Sequence, residues 1–176
     1  MLAKRLAAYQ IFKKLELPKW SVNLGKLDLA KIIYYTDPLL PKSVSDWKKV
    51  PKQARETFAK LGIPQAEKEM LAGAGAQFES SVVYHRLKKQ WEKLGVIFMD
   101  MDEAVKKYPR IIKQYFMTSC VSPSLHKFAA LHAAVWSGGT FMYVPKKVSV
   151  KLPLQAYFRL NKARMGQFEH TLIILE

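Results

Sequence analysis

The chain has a single cysteine, Cys120, which excludes an intrachain disulfide and gives no sign of an oxidising compartment. Acidic side chains are also scarce: 14 Asp and Glu stand against 29 Lys and Arg, a formal net charge of +15. No uncharged apolar run reaches the roughly 18 residues that a membrane-spanning helix needs. The opening stretch Met1-Leu-Ala-Lys-Arg-Leu-Ala-Ala-Tyr9 carries charge but lacks the apolar core of a secretory signal, and it reads as ordinary helix rather than a targeting segment. A phosphate-cradling Walker loop, an HExxH pair, a CxxC pair and an internal repeat of fixed period are all missing. The expected location is therefore the cytoplasm, and the motifs that announce an enzyme are not found.

What is present is enough apolar material for a core. Apolar residues make up 49% of the 176, and 12% are aromatic, so disorder of the whole chain is excluded. Residues 1–60 carry 13 Lys and Arg against 5 Asp and Glu, residues 61–127 carry 10 against 7, and residues 128–176 carry 6 against 2. A field of this sign favours anionic partners. The lysines come as singles and pairs (Lys13-Lys14, Lys48-Lys49, Lys88-Lys89, Lys106-Lys107, Lys146-Lys147), which is the pattern of solvated helix faces rather than of a nucleic-acid recognition helix. A stand-alone polyanion- or nucleic-acid-binding module stays as the alternative reading.

Residues 2–17 predict an amphipathic helix with Leu2, Leu6, Tyr9, Ile11, Phe12 and Leu15 on its apolar face, ended by Pro18. A loop with Trp20 as an anchor follows, then a helix-to-strand segment over 27–35. Asp37-Pro38 and Leu40-Pro41 break regular structure. Ser45 or Asp46 caps a helix carrying Val50, Ala54, Phe58 and Leu61 that stops at Gly62. Residues 65–72 predict another helix, ended by a Gly73-Ala-Gly75 turn, and residues 82–94 a third, with Val83, Leu87, Trp91 and Leu94 on one face and Gly95 as its C-cap. A strand over 96–99 and helices over 100–107 and 109–116 come next, then a loop over 118–127.

The character of the chain changes after Phe128. An alanine-rich segment runs into Ser137-Gly-Gly139 and then into three short extended runs, Thr140–Val144, Leu152–Leu160 and Thr171–Leu175. The resulting expectation is an α+β chain with a mainly helical region over 1–127 and a β region of coiled or stacked sheet over 128–176. The last strand stops at the terminus, so unpaired edges around 150–175 are expected to promote association.

No constellation in the residues defines an active site. Gly73-Ala-Gly75-Ala-Gln-Phe78 lacks the third glycine of a dinucleotide loop. Cys120, His126 and His132, each six residues apart, are the candidate ligands of a small metal site, with a chance grouping in a loop preferred. Cys120 as a nucleophile has only His126 nearby in sequence as a base. His85 and His170 read as core-edge or solvent-facing, and Trp20, Trp47, Trp91 and Trp136 as packing anchors rather than base-stacking platforms.

Several collinear motifs resemble one family. They include Pro18-Lys-Trp20, Ile32-Ile-Tyr-Tyr35, Leu61-Gly-Ile-Pro64, Leu71-Ala-Gly-Ala-Gly-Ala-Gln77, Gly95-Val-Ile-Phe98, Ala134-Val-Trp-Ser-Gly-Gly139, Pro153-Leu-Gln-Ala-Tyr-Phe-Arg159 and Met165-Gly-Gln-Phe-Glu169. The chain is similar to the SufB/SufD family, on its SufB side: the scaffold subunit of the SUF iron–sulfur cluster assembly machine. The resemblance implies a helical N-terminal region followed by the first strands of a right-handed parallel β-helix beginning at residue 128. It also implies a non-enzymatic scaffold role alongside a SufC-like ATPase, a SufD-like paralogue and sulfur donor proteins, without membrane or nucleic acid.

An iron–sulfur cluster belongs to the full-length family. Its ligands and the SufC-binding helices are expected beyond the residues present here, so the resemblance assigns no catalytic or metal residue to this chain. The chain is then expected to be a fragment, a split protein or a truncated form. His132 stands where the family usually has Asn, His170 where it has Arg, Lys147 where it has Gly, and Met99 at a position often Cys.

Overall fold

A computed structural model describes residues 1–36, 44–63 and 70–176. The proline breaks at 37–41 and most of the helix expected over 65–72 lie outside these residues. The helices are α1 (Leu2–Lys14), α2 (Lys52–Lys60), the short α3 (Lys89–Glu92), α4 (Met101–Lys107), α5 (Pro109–Tyr115) and α6 (Lys127–Val135). The strands are β1 (Gly73–Phe78), β2 (Ser81–Leu87), β3 (Ile97–Asp100), β4 (Thr140–Val144), β5 (Leu154–Arg159) and β6 (Leu172–Leu175).

Two three-stranded sheets carry the fold, with strand orders β2-β1-β5 and β3-β4-β6. In each, one neighbour of the central strand is antiparallel and the other parallel: β1 runs against β2 and with β5, and β4 runs against β3 and with β6. This corrects the expected right-handed parallel β-helix. The described residues form two small mixed sheets, and each draws strands from both sides of residue 127. The alanine-rich segment that opens the expected β region is itself helical, as α6.

The largest local correction lies at residues 73–94. Gly73-Ala-Gly75 is a strand, not a turn, and residues 81–87 are a strand, not the front half of a helix. Every residue of β1 is buried, so both of its faces meet other parts of the protein, and its first four residues are glycine and alanine. A Cβ on Gly75 would lie 2.6 Å from the His85 ring of the neighbouring strand. The glycines therefore permit close approach here rather than chain reversal. The Val83–Leu87–Trp91–Leu94 spacing imitates a helical stripe, but Val82-Val-Tyr84 is better accommodated on a pleated surface.

Three apolar clusters fill the space around the sheets. Val50, Ala54 and Phe58 of and before α2 pack on β1 and β2 through Ala74, Phe78 and Tyr84. Met101, Ala104, Ile112, Phe116, Trp136 and Phe141 join α4 and α5 to β4. Ala72, Leu87, Trp91, Val96 and Phe98 close the space between the sheets. Asp100 starts α4 by accepting the Asp102 N–H at 2.7 Å, and Pro109 starts α5, so both helices begin where their sequence signals stand.

α1 departs from its expected packing. Only Ala8 is buried, while Leu2, Leu6 and Tyr9 face solvent. What fixes it is polar and reciprocal. Arg5 donates to the carbonyls of Ala134 (3.2 Å) and Trp136 (2.7 Å) at the end of α6, with its guanidinium 4.5 Å over the Trp136 ring. At the other end, Lys127 donates to Phe12 (3.0 Å) and Leu15 (2.7 Å), capping α1. Each helix thus supplies the cation that satisfies its partner's terminal carbonyls. Arg5→Ala is expected to lower stability by about 1–3 kcal/mol, with Arg5→Lys recovering only part, because one ammonium cannot span two carbonyls and stack on the indole. Urea unfolding of the three proteins checks this; identical midpoints would show that the contact contributes nothing.

Candidate functional site

Two places bring polar groups together inside the fold. The first is the Ser137-Gly138-Gly139 turn. Gln77 of β1, 1% exposed, accepts the Gly139 N–H (2.8 Å) and donates to the carbonyls of Glu79 (3.1 Å) and Ser137 (3.3 Å). The Gly139 carbonyl accepts from Met101, the Ser137 N–H donates to Phe168, and the His170 N–H donates to Gly138. One turn therefore ties β1, α4 and the approach to β6, and Gln77 is the amide that satisfies its buried backbone. Gly138 and Gly139 have φ of +67° and +100°. Sequence reading passed over Gln77, although a lone amide in an otherwise small apolar run is a signal of such a tie.

Beside this turn, His132 Nε2 and His170 Nδ1 are 2.9 Å apart. The rings lie against Phe116, whose centroid is 4.1 Å from that of His170, and near Trp136. Burial holds both imidazoles below the usual histidine range, and His170, further depressed by His132, falls to about 4. At neutral pH the pair is an uncharged hydrogen bond between imidazoles.

The candidate ligands Cys120, His126 and His132 are not brought together as a metal site. Cys120 is exposed. The His126 Nδ1 accepts the Ala129 N–H and caps α6, and His132 is engaged with His170. Among the described residues no three His, Cys, Asp or Glu side chains gather as a metal site. These residues do not supply a ligand set for a cluster. Six-residue spacing brings side chains together only if the backbone between them cooperates; here it holds a loop and a helix start. Trp20, expected as an anchor, is 76% exposed and touches His126 edge-on, whereas Trp91 and Trp136 are buried as expected.

The second place is a cleft of about 1020 Å³ between Val44–Lys48, β2, β3 and the start of α4. Trp47, His85 and the edge of Phe98 contribute aromatic surface, while Tyr84 behind them is fully buried. His85 sits in β2, not on a helix face, with its ring 4.4 Å from that of Phe98. Burial drives its pKa down to about 3, against a smaller upward pull from the Phe98 backbone. Asp100 is pushed up to about 6, first by burial and then by Asp102 and Glu103, while the Asp102 N–H holds it down. The cleft therefore carries a neutral imidazole and a carboxyl group that titrates near neutrality. Among the described residues that line it, no nucleophile is paired with a base.

Residues 76–156, from inside β1 to inside β5, match the family described as SufBD protein N-terminal region. Among individual relatives, an iron–sulfur cluster assembly SufBD family protein of Staphylococcus epidermidis is 48% identical over all 176 residues, which is 37% of that protein's length. The corresponding proteins of Staphylococcus haemolyticus and Staphylococcus aureus are 48% and 47% identical over the same 176 residues and the same 37%. The chain spans just over a third of the curated relatives it matches. No described helix is long and apolar enough to cross a membrane.

Proposed function

We propose that this chain is the N-terminal part of a SufB-type scaffold for iron–sulfur cluster assembly, working in the cytoplasm through protein–protein contacts rather than as an enzyme. Its partners in this reading are a SufC-like ATPase, a SufD-like paralogue and sulfur donor proteins, and the cluster is cargo held by residues elsewhere in the assembled scaffold. The observation that carries the reading is identity at 48% sustained over all 176 residues to a protein named for this assembly. The motifs around Ala134-Val-Trp-Ser-Gly-Gly139 favour the SufB side of the family, and His132 and His170 mark this chain as a divergent member. The division at residue 127 belongs to this proposal as a boundary in sequence alone, since β1, β2 and β3 precede it and share their sheets with β4, β5 and β6.

A chimera tests it. The part of the Staphylococcus epidermidis relative that matches this chain is replaced by it, and the product is co-expressed with the SufC- and SufD-like proteins of that organism. The expected result is a three-component complex on size-exclusion chromatography that acquires an iron–sulfur chromophore on anaerobic reconstitution. A folded chimera that forms no complex overturns the scaffold reading. A complex without chromophore rejects the SufB assignment in favour of SufD.

A further inference from the structure

The cleft beside β2 has an unfinished strand edge. In the β1–β2 ladder, Ala74 pairs with Arg86 and Lys88 donates to Ala72, so the backbone groups of residues 83, 85 and 87 point away from β1. Val44 occupies the first rung of that outer edge: its N–H donates to Val83 and its carbonyl accepts from His85. The chain then turns away at Asp46, whose side chain caps a short helical turn at Trp47–Lys49. The next rung, formed by the His85 carbonyl and the Leu87 N–H, has no partner among the described residues. It lies along the cleft, and both residues line it.

The chemistry of the walls selects the occupant. Trp47, His85 and the edge of Phe98 line the cleft with ring surface, which suits alternate apolar side chains of an extended segment. The carboxylates of the cleft are largely engaged: Asp46 and Asp100 bond backbone N–H groups at helix starts, and Glu103 lies by Lys106 and Lys107. Lys48, Lys88 and Lys89 make no ion pair among the described residues, and against them stands Glu92. At about 1020 Å³ the cleft is at the upper limit of small-ligand pockets, which span roughly 300–1,000 Å³, and its lining runs along β2 from Tyr84 to Leu87.

We infer that this cleft binds an extended acidic peptide segment of a partner protein by strand addition to β2. The segment's main chain completes the rung at His85 and Leu87, its alternate apolar side chains meet the ring surface, and its carboxylates meet Lys48, Lys88 and Lys89. The inference stands apart from cluster chemistry, because no residue of the cleft has to touch the cargo.

The probe is a fluorescein-labelled peptide of alternating glutamate and valine, six residues long, followed by fluorescence anisotropy at low salt. Two isomers are N-methylated on either the glutamates or the valines, which blocks opposite edges of the same strand. The expected result is binding of the parent peptide, at least about tenfold weaker binding of one isomer only, and a shift of the Leu87 amide resonance on addition of the parent. The Lys88→Glu, Lys89→Glu double variant, folded by circular dichroism, is expected to bind about tenfold more weakly. Absence of parent binding overturns the inference. So does equal binding of both isomers, and an oligothymidylate that displaces the parent without regard to methylation would then identify plain polyanion attraction.

Discussion

Gly139→Ala is expected to destabilise the protein by about 3–5 kcal/mol, more than any other single substitution considered, because two independent penalties add. The backbone φ of +100° strains any residue with a side chain. A Cβ there would also collide with the backbone nitrogen and carbonyl group of His170. The turn has no freedom to move aside, since the Gly139 N–H is held by Gln77 at 2.8 Å and its carbonyl by the Met101 N–H at 3.1 Å. Gly62→Ala separates the two penalties: Gly62 has φ of +72° but no heavy atom of the described residues within 4 Å of an added Cβ, so only the strain of about 1–2 kcal/mol applies. Urea unfolding of both variants decides, and equal losses would refute the collision at His170.

Stability is expected to fall as pH drops from 7 toward 6, by up to about 1.4 kcal/mol per pH unit for each histidine involved. The sign follows from the direction of the shifts. His85, His132 and His170 all have folded pKa values below the ordinary 6.5, about 3 for His85 and about 4 for His170. Below pH 6.5 the unfolded chain takes up protons that the folded chain refuses, so folding is penalised. The groups near the His132–His170 pair do not relieve this, since Lys4 bonds the Phe116 carbonyl and Arg5 stacks on Trp136. Asp100 works the other way. Its pKa is raised from 3.8 to about 6, so its buried charge is a burden at high pH that lifts as pH falls through 6.

The loss should therefore steepen as pH falls from 7 through 6, with Asp100 offsetting about one histidine's share of it below pH 6. His170→Gln is expected to reduce the slope, and Asp100→Asn, which keeps a capping oxygen, to raise stability at pH 8 by roughly 1–3 kcal/mol with no gain at pH 5. Urea midpoints measured from pH 8 to 5 test this. A wild-type midpoint that stays level or rises between pH 7 and 6 would contradict the neutral assignment of the histidines.

Legibility in the sequence followed local determination. α4 and α5 were readable because Asp100 and Pro109 act within one turn of themselves. β4 was readable because Thr140-Phe-Met-Tyr-Val144 has a single good conformation between a glycine turn and a proline. β1 was not readable, because its glycines answer to a ring on the neighbouring strand and to a parallel partner some 80 positions away, as Gly75 pairs with Ala156. The resemblance carried the family motifs correctly into a match but brought with it an architecture that the strand directions overturn. The candidate site was hidden for a related reason. Cys120, His126 and His132 are near one another along the chain, while Gln77, Gly139 and His170 are near one another only in space.

The mutual capping of α1 and α6 bears on how the chain is born. α1 leaves the ribosome well before α6, yet the carbonyls that receive Arg5 belong to residues 134 and 136, and β1 must wait for residues 154–159 before its second edge is covered. Synthesis at about 5–20 residues per second leaves the basic N-terminal helix unpaired for roughly 6–30 seconds before its dock exists. During that interval it is a mobile cationic segment, with Leu2, Leu6 and Tyr9 as free to meet other molecules as they remain in the finished fold. α1 is thus made well before it can be fixed, and its docking is timed by translation rather than by the helix itself.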